Sequence, residues 1–131
     1  MMSNMQAFGA YAAAFEETLK DDDWSRLEQY FAEDAIYLPG DGTQDHWLPA
    51  LQGSVSSLEG KVDTRDLLEE PVVTEEGNTI TLKFKLKYTK AGVPDLVLVG
   101  AETIEYENGV IQRIEDVFEN ADEMIGWREQ L

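Results

Sequence analysis

Residues 11–38 read YAAAFEETLKDDDWSRLEQYFAEDAIYL, and this stretch decides the fold. Apolar residues recur every three or four positions in its first part, as on the buried face of an amphipathic helix. We predict that this face consists of Phe8, Tyr11, Ala12, Phe15 and Leu19. The same spacing predicts a short second helix that buries Trp24, Leu27, Tyr30 and Phe31. A strand is then expected from Ala35 to Leu38, because Pro39-Gly40 cannot easily continue a sheet ladder.

The acidic run Asp21-Asp22-Asp23 lies between the two predicted helices. Short acidic side chains accept hydrogen bonds from the first backbone N–H groups of a helix, and their charge suits that end. We therefore predict that the run caps the second helix. It lacks the alternating ligands and the glycine of a calcium loop, so no metal site is expected.

The composition predicts one small domain over residues 1–131. The chain has no cysteine, which excludes disulfides, a thiolate nucleophile and a zinc–thiolate site. No apolar run is long enough to span a bilayer, and the N-terminus lacks the basic-then-apolar pattern of a signal peptide. We expect a soluble, cytoplasmic protein.

The chain is strongly acidic, with 10 basic against 27 acidic residues and a formal net charge of −17. Such a charge repels a phosphate backbone and an anionic lipid surface. Neither nucleic acid nor a membrane is therefore an expected partner, and the charge is typical of a highly soluble protein.

The second half reads as a helix followed by a sheet. Pro49 suits the first position of a helix that Gly60 ends, with an apolar stripe of Leu51, Val55 and Leu58. Apolar and polar residues alternate over Thr79 to Thr89, which predicts a strand. The stretch Asp95 to Glu107 is apolar on both faces near residues 96–99 and is expected to be covered on both sides. The remaining predicted elements are a weak strand over Asp66 to Thr74 interrupted by Pro71, a strand over Val110 to Phe118, and a closing helix from about Asp122.

This order of elements resembles the nuclear transport factor 2-like superfamily, and within it the SnoaL-like polyketide cyclases and the ketosteroid isomerase-like proteins. The resemblance rests on the Asp-Asp-Trp turn at 22–24, on Phe-Ala-Glu-Asp-Ala at 31–35 and on the ending Gly-Val-Ile-Gln-Arg-Ile-Glu-Asp-Val-Phe at 109–118. It implies an α+β fold, a cone-shaped, strongly curved antiparallel sheet whose N-terminal helices close over a central pocket (a cystatin-like α+β roll). The superfamily includes enzymes of several kinds and non-catalytic domains, so the fold alone indicates no single activity.

The resemblance also argues against the best-known activity of the superfamily. The tyrosine that holds the enolate oxygen in the isomerases falls on Phe15, and the aspartate that moves the proton falls on Pro39. Neither residue carries the required group, because phenylalanine donates no hydrogen bond and proline accepts no proton. A steroid isomerase of the usual kind is therefore not expected.

Two carboxylic acids remain as candidate catalytic residues. The second acid of the isomerase oxyanion site falls on Glu102, and the family pattern places Asp116 on the inner face of the last strand. Two carboxylates in an apolar cone repel each other, so one would have a raised pKa and could act as a general acid. The structural alternative is that one of the acids pairs with an arginine, for which Arg65 and Arg113 are available, or lies near the open rim of the cone.

The pairing of these acids depends on the turn at Asn108-Gly109. A two-residue turn pairs Glu102 with Glu115, whereas a three-residue turn that includes Glu107 places Glu102 opposite Ile114. We favour the three-residue turn, because it puts both acids on the inner face with the neighbouring apolar side chains.

His46 is a third candidate catalytic residue, since it is the only histidine and imidazole is the side chain best suited to proton transfer near neutral pH. Its role depends on whether it points into the pocket, because the loop also places it beside Trp47 on the surface. Apolar and aromatic residues are expected to bind the ligand. These predicted ligand-binding residues are Tyr11, Phe15, Tyr37, Leu51, Val55 and Phe118.

Three functions are compatible with this sequence. The first is a cofactor-independent isomerase, cyclase, lyase or hydrolase that acts on a small hydrophobic, oxygen-bearing molecule by acid–base chemistry. The second is a carrier of such a ligand without catalysis, and the third is a dimeric assembly module, since members of the superfamily commonly dimerise through the outer face of the sheet. We expect a homodimer, although the lysines at 83, 85 and 87 make a purely hydrophobic interface there unfavourable.

Overall fold

The N-terminal helix forms as predicted and has a well-defined start. The computed structural model describes residues 3–131, and helix α1 spans Asn4–Asp21. The Ser3 hydroxyl accepts a hydrogen bond from the Gln6 backbone N–H at 3.1 Å, and the Gln6 side chain accepts one from the Ser3 N–H at 2.9 Å. This reciprocal pair satisfies two of the unpaired donors at the start of the helix. The buried face consists of Ala7, Phe8, Tyr11, Ala14 and Thr18, while Phe15 and Leu19 are half-buried.

The second helix differs from the prediction. It is a 3₁₀ helix over Trp24–Tyr30, and strand β1 spans Phe31–Leu38, so Phe31 belongs to the strand. Phe31 pairs with Ile111 of the last strand, and this sheet pairing outweighs the helical spacing. The ring of Phe31 also stacks on Trp47, with centroids 4.1 Å apart.

The acidic run stabilises the corner between the helices but does not cap the second one. Asp23 makes no side-chain capping hydrogen bond, whereas Asp22 ends α1 in the left-handed conformation with φ of 57°. The Asp22 carboxylate accepts from the Trp24 indole N–H at 2.7 Å. Asp21 forms an ion pair with Arg26 at 2.6 Å, so these carboxylates are engaged in local contacts.

The helix before the sheet begins earlier than predicted. Strand β2 spans Asp45–His46 and is followed directly by α2, Trp47–Ser54, so that Pro49 is the third helical residue. His46 explains the earlier start, because its Nδ1 accepts from the Leu48 backbone N–H at 3.4 Å. A π-helical turn over Val55–Glu59 continues α2 as far as Gly60.

Seven strands form one curled sheet in the order β2-β1-β7-β6-β5-β3, with β4 paired to β5 as well. Neighbouring strands are antiparallel except for β1 and β7, which are parallel. The predicted strand Asp66 to Thr74 is two strands, because each half pairs with a different part of β5. The bounds are β3 Thr64–Leu67, β4 Val72–Glu76, β5 Thr79–Lys90, β6 Val93–Glu107 and β7 Val110–Phe118. Helix α3, Ala121–Arg128, closes the chain.

The concave face of the sheet carries the core. Ile80 and Ile104 pack with α1 and α2, while Leu96 and Leu98 pack with Met124 and Trp127 of α3. The predicted cover on the outer side of β6 near residues 96–99 is not present in the described part of the chain: the outward Val97 and Val99 belong to neither buried cluster. On that convex face Val117 is 58% exposed.

Two glycines make room for Phe118, which stands at the wall of the cone. A Cβ atom at Gly100 would lie 2.6 Å from the Val117 carbonyl oxygen and 2.8 Å from the Phe118 ring. A Cβ atom at Gly40, where φ is +89°, would lie 2.5 Å from the same ring. Only glycine fits these two positions without moving the end of β7.

We expect Gly100→Ala to lower the free energy of unfolding by about 1–3 kcal/mol, because the added methyl group overpacks against backbone that cannot rotate away. Urea unfolding measures this change. Gly126→Ala in α3 is the matched control, since a Cβ atom there would meet no neighbouring element within 4 Å and alanine favours the helix. Equal stability of the two variants would contradict the proposed close packing.

Candidate active site

A β-bulge sets the register of the two candidate acids. The turn at Asn108-Gly109 has two residues, so Glu107 pairs with Val110 and Tyr106 with Ile111. The register then shifts by one residue, and Glu102 pairs directly with Asp116. Neither predicted register is therefore correct. The extra residue of the bulge lies on β7, between Ile111 and Arg113.

Asp116 is held in place by a hydrogen bond from the neighbouring strand β1. It is 8% exposed, and its Oδ2 accepts a hydrogen bond from the Tyr37 hydroxyl of β1, which is 4% exposed. The parallel pairing of β1 with β7 brings the two strands together, with Tyr37 opposite Ile114, two residues before Asp116. The other Asp116 oxygen, Oδ1, is buried and has no neutral or cationic donor among residues 3–131.

Glu102 is the direct cross-strand partner of Asp116, and both residues line the same cavity. A hydrogen bond between two neighbouring carboxyl groups needs one shared proton. Burial raises the pKa of Asp116 well above its usual range, and the charge of Glu102 raises it further. Burial also raises the pKa of Glu102. We assign the proton to Asp116, because its Oδ1 can then donate to a Glu102 carboxylate while Oδ2 accepts from Tyr37.

These three groups face a cavity of about 370 Å³ inside the cone. All six predicted ligand-binding residues line it, as do Glu102 and Asp116. Phe15 and Pro39, which replace the isomerase pair, are also in the lining. The walls are mostly aromatic and aliphatic, from Phe8 of α1 to Leu82, Phe84 and Leu98 of the sheet. Such a surface binds an apolar body, and the acids provide a few oriented polar groups.

A second polar group in the cavity was not predicted from the sequence. Glu59, at the end of the π-helical turn, accepts a hydrogen bond from the Tyr88 hydroxyl at 3.2 Å, and burial raises the pKa of its carboxyl. Arg65 on β3 pairs with Tyr88 in the sheet and forms an ion pair with Glu16 of α1 at 3.1 Å. The π-helical turn directs Glu59 inward, and the apolar spacing of Leu51, Val55 and Leu58 gives no signal of this turn.

His46 does not belong to the cavity, contrary to its selection as a catalytic candidate. Its side chain is exposed and absent from the lining. Its Nε2 contacts the Glu33 carbonyl oxygen at 2.7 Å, and its Nδ1 caps α2. The imidazole is therefore used at the start of the helix.

The arginine alternative for the two acids is also not observed. Arg113 lies on the outer side of β7 and contacts Glu105 at 3.3 Å and Glu115 at 3.4 Å, while Arg65 contacts Glu16. Within residues 3–131 no group of three or more metal-binding side chains is placed to hold an ion. In the same range no helix is long and apolar enough to cross a membrane.

Solved structures with the same architecture identify the fold. An NTF2-like protein of unknown function from Burkholderia pseudomallei K96243 matches with a TM-score of 0.72 and 21% identity, over 97% of this chain and 98% of that one. The chain has the nuclear transport factor 2-like fold. This confirms the predicted α+β cone, with the parallel β1–β7 pair as an addition to the expected antiparallel sheet.

Two further solved structures with this fold are similar to this chain. A candidate polyketide cyclase from Xanthomonas campestris pv. campestris has a TM-score of 0.67 and 21% identity, covering 96% of this chain and 99% of its own. TerC, crystallised with polyporic acid, has a TM-score of 0.70 and 16% identity, covering 96% and 98%. No model of a known protein family matches the sequence, and no curated protein does.

Proposed function

We propose that this protein binds a small hydrophobic, oxygen-bearing molecule in the cone and transforms it by acid–base chemistry without a cofactor. The observation that carries the proposal is the Tyr37–Asp116–Glu102 arrangement in a largely apolar cavity. A pair of carboxyl groups that shares one proton, with Asp116 buried and Glu102 half-buried, offers a base and an acid at neutral pH. One of the structures with the same fold is a candidate polyketide cyclase, and cyclisation of a polyketide belongs to this reaction class.

The proposed reaction is the enolisation of a ketone. The Glu102 carboxylate removes a proton from the carbon next to the carbonyl, while Asp116 gives its proton to the carbonyl oxygen. Tyr37 positions Asp116 through its hydrogen bond. Return of the proton to a different carbon isomerises the substrate, and attack of the enol carbon on a second carbonyl closes a ring. At the end of the cycle Glu102 returns its proton, to carbon in the isomerisation or to the alkoxide oxygen formed in ring closure, and the enol O–H returns its proton to Asp116.

A bicyclic ketone, 2-tetralone, tests this function. In D₂O we expect the protein to accelerate the replacement of its α-protons by deuterium, which proton NMR follows directly. Val55 lines the cavity, so Val55→Trp places an indole ring where the ligand would lie and is expected to abolish the acceleration. Thermal stabilisation by 2-tetralone without faster exchange would favour the non-catalytic carrier, and the absence of both effects would contradict a ligand-binding cone.

For its assembly and location we propose a homodimer in the cytoplasm. The exposed Val117 pairs with Ala101 on the convex face, beside Val99 of the same sheet, and a second copy would bury these side chains. Light scattering coupled to size exclusion would report the oligomeric state.

A further inference from the structure

We propose that Glu59 and Arg65 form a second polar site in the cavity, which selects ligands that carry a neutral hydroxyl group. The inference rests on the proposed function and specifies its substrate class. The ligand would have an apolar body, one oxygen-bearing group that contacts Tyr37 and Asp116, and a hydroxyl group that binds at the second site. Both residues line the same cavity as the acid pair.

The site is held in place by the strand pairing and by two neighbours. Arg65 of β3 lies opposite Tyr88 of β5, and Tyr88 donates to Glu59 Oε1 at 3.2 Å. Arg65 Nη1 donates to Glu16 Oε1 at 3.1 Å. After these contacts two buried atoms remain without a protein partner in the described chain, the donor Arg65 Nε and the acceptor Glu59 Oε2. Leaving such atoms unpaired costs free energy, so a ligand group that pairs with them gains affinity.

One donor and one acceptor of opposite charge define the chemistry of the ligand. A hydroxyl oxygen accepts from Arg65 Nε–H, and its hydrogen is donated to Glu59 Oε2. A carboxylate would pair with Arg65 but would be repelled by Glu59, and an ammonium group would pair with Glu59 but would be repelled by Arg65. Because both atoms are shielded from solvent, binding requires a rotation of one of the two side chains, as is common at binding sites.

The two polar sites are close enough to influence each other. Burial raises the pKa of Glu102, and the charge of Glu59 adds to that rise. Burial raises the pKa of Glu59 as well. Because both sites line one cavity of about 370 Å³, a compact ligand can contact both of them, with its apolar body against the aliphatic and aromatic walls.

Four naphthalene probes test the second site by calorimetry at neutral pH: 2-naphthol, 2,6-dihydroxynaphthalene, 6-hydroxy-2-naphthoic acid and 6-(aminomethyl)-2-naphthol, whose alkylamine is protonated under these conditions. The diol is expected to bind about tenfold tighter than 2-naphthol, because hydrogen bonds to charged groups are strong when buried. The acid and the protonated amine are expected to bind more weakly than the diol. Arg65→Met should remove the advantage of the diol.

Glu59→Gln provides an independent readout, because it removes the repulsion of a carboxylate while keeping the shape of the side chain. We expect this variant to bind 6-hydroxy-2-naphthoic acid tighter than the wild type does. Binding of 2-naphthol with no advantage for the diol would overturn the hydroxyl site alone. Failure of all four probes to bind would contradict the proposed function and the hydroxyl site with it.

Discussion

Glu102→Gln is expected to slow the α-deuteration of 2-tetralone by about 10²–10⁴-fold, the usual contribution of a general base. Glutamine occupies the same volume but cannot take the proton from carbon. Binding should change much less than the rate, because the amide still accepts hydrogen bonds in the cavity. Exchange rates followed by NMR at saturating 2-tetralone separate the two effects.

Glu105→Gln is the matched control for this loss. Glu105 lies on the same strand, three residues further on and on the outer face, where it contacts Arg113 at 3.3 Å. Its removal takes away the same charge without touching the cavity, so the exchange rate should stay near that of the wild type. Equal losses of exchange rate in Glu102→Gln and Glu105→Gln would show that the loss follows from the net charge of the protein and not from a general base.

Asp116→Asn is expected to make the protein more stable at pH 8, by on the order of 1 kcal/mol or more, since one pKa unit corresponds to about that free energy. Burial and the charge of Glu102 raise the pKa of Asp116 well above its usual range. Ionisation of Asp116 therefore opposes folding. Asparagine keeps the hydrogen bonds to Tyr37 and Glu102 without the second charge.

The stabilising effect of Asp116→Asn is expected to increase with pH. A carboxyl whose pKa is raised on folding binds more protons in the folded state, so its stabilising contribution is complete below about pH 4 and is lost as the pH rises through the folded-state value. Urea unfolding at pH 5 and pH 8 should show a smaller loss of stability in Asp116→Asn than in the wild type. Glu119→Gln, an exposed charge just after β7, controls for the net charge. Parallel slopes for all three proteins would contradict a buried, protonated Asp116.

Much of the fold was predictable because it depends on local patterns. The spacing of Phe8 and Tyr11 indicated the buried face of α1, and the alternation over Thr79 to Thr89 indicated β5. The errors lie where tertiary contacts override such patterns. Phe31 has helical spacing but pairs in the sheet, and His46 starts a helix by capping it.

The two acids of the candidate site were predictable from the sequence, but their geometry was not. Glu102 and Asp116 were found from the family resemblance, whereas their direct pairing depends on a bulge. A signal for that bulge exists in the sequence: Ile111 and Ile114 both face inward although three positions separate them. Glu59 gave no such signal, because its inward position follows from a π-helical turn that periodicity does not specify.

The bulge on β7 also indicates where the chain tolerates a change in length. Gln112 is the additional residue, and its side-chain amide donates a hydrogen bond to the exposed Asp34 at 3.1 Å. A relative that lacks this position would keep Ile111 and Ile114 facing inward with Arg113 outside, and its equivalent of Asp116 would still meet Glu102. Alignments of this fold should therefore place a one-residue gap at Gln112 before they infer that the acid pair has been lost.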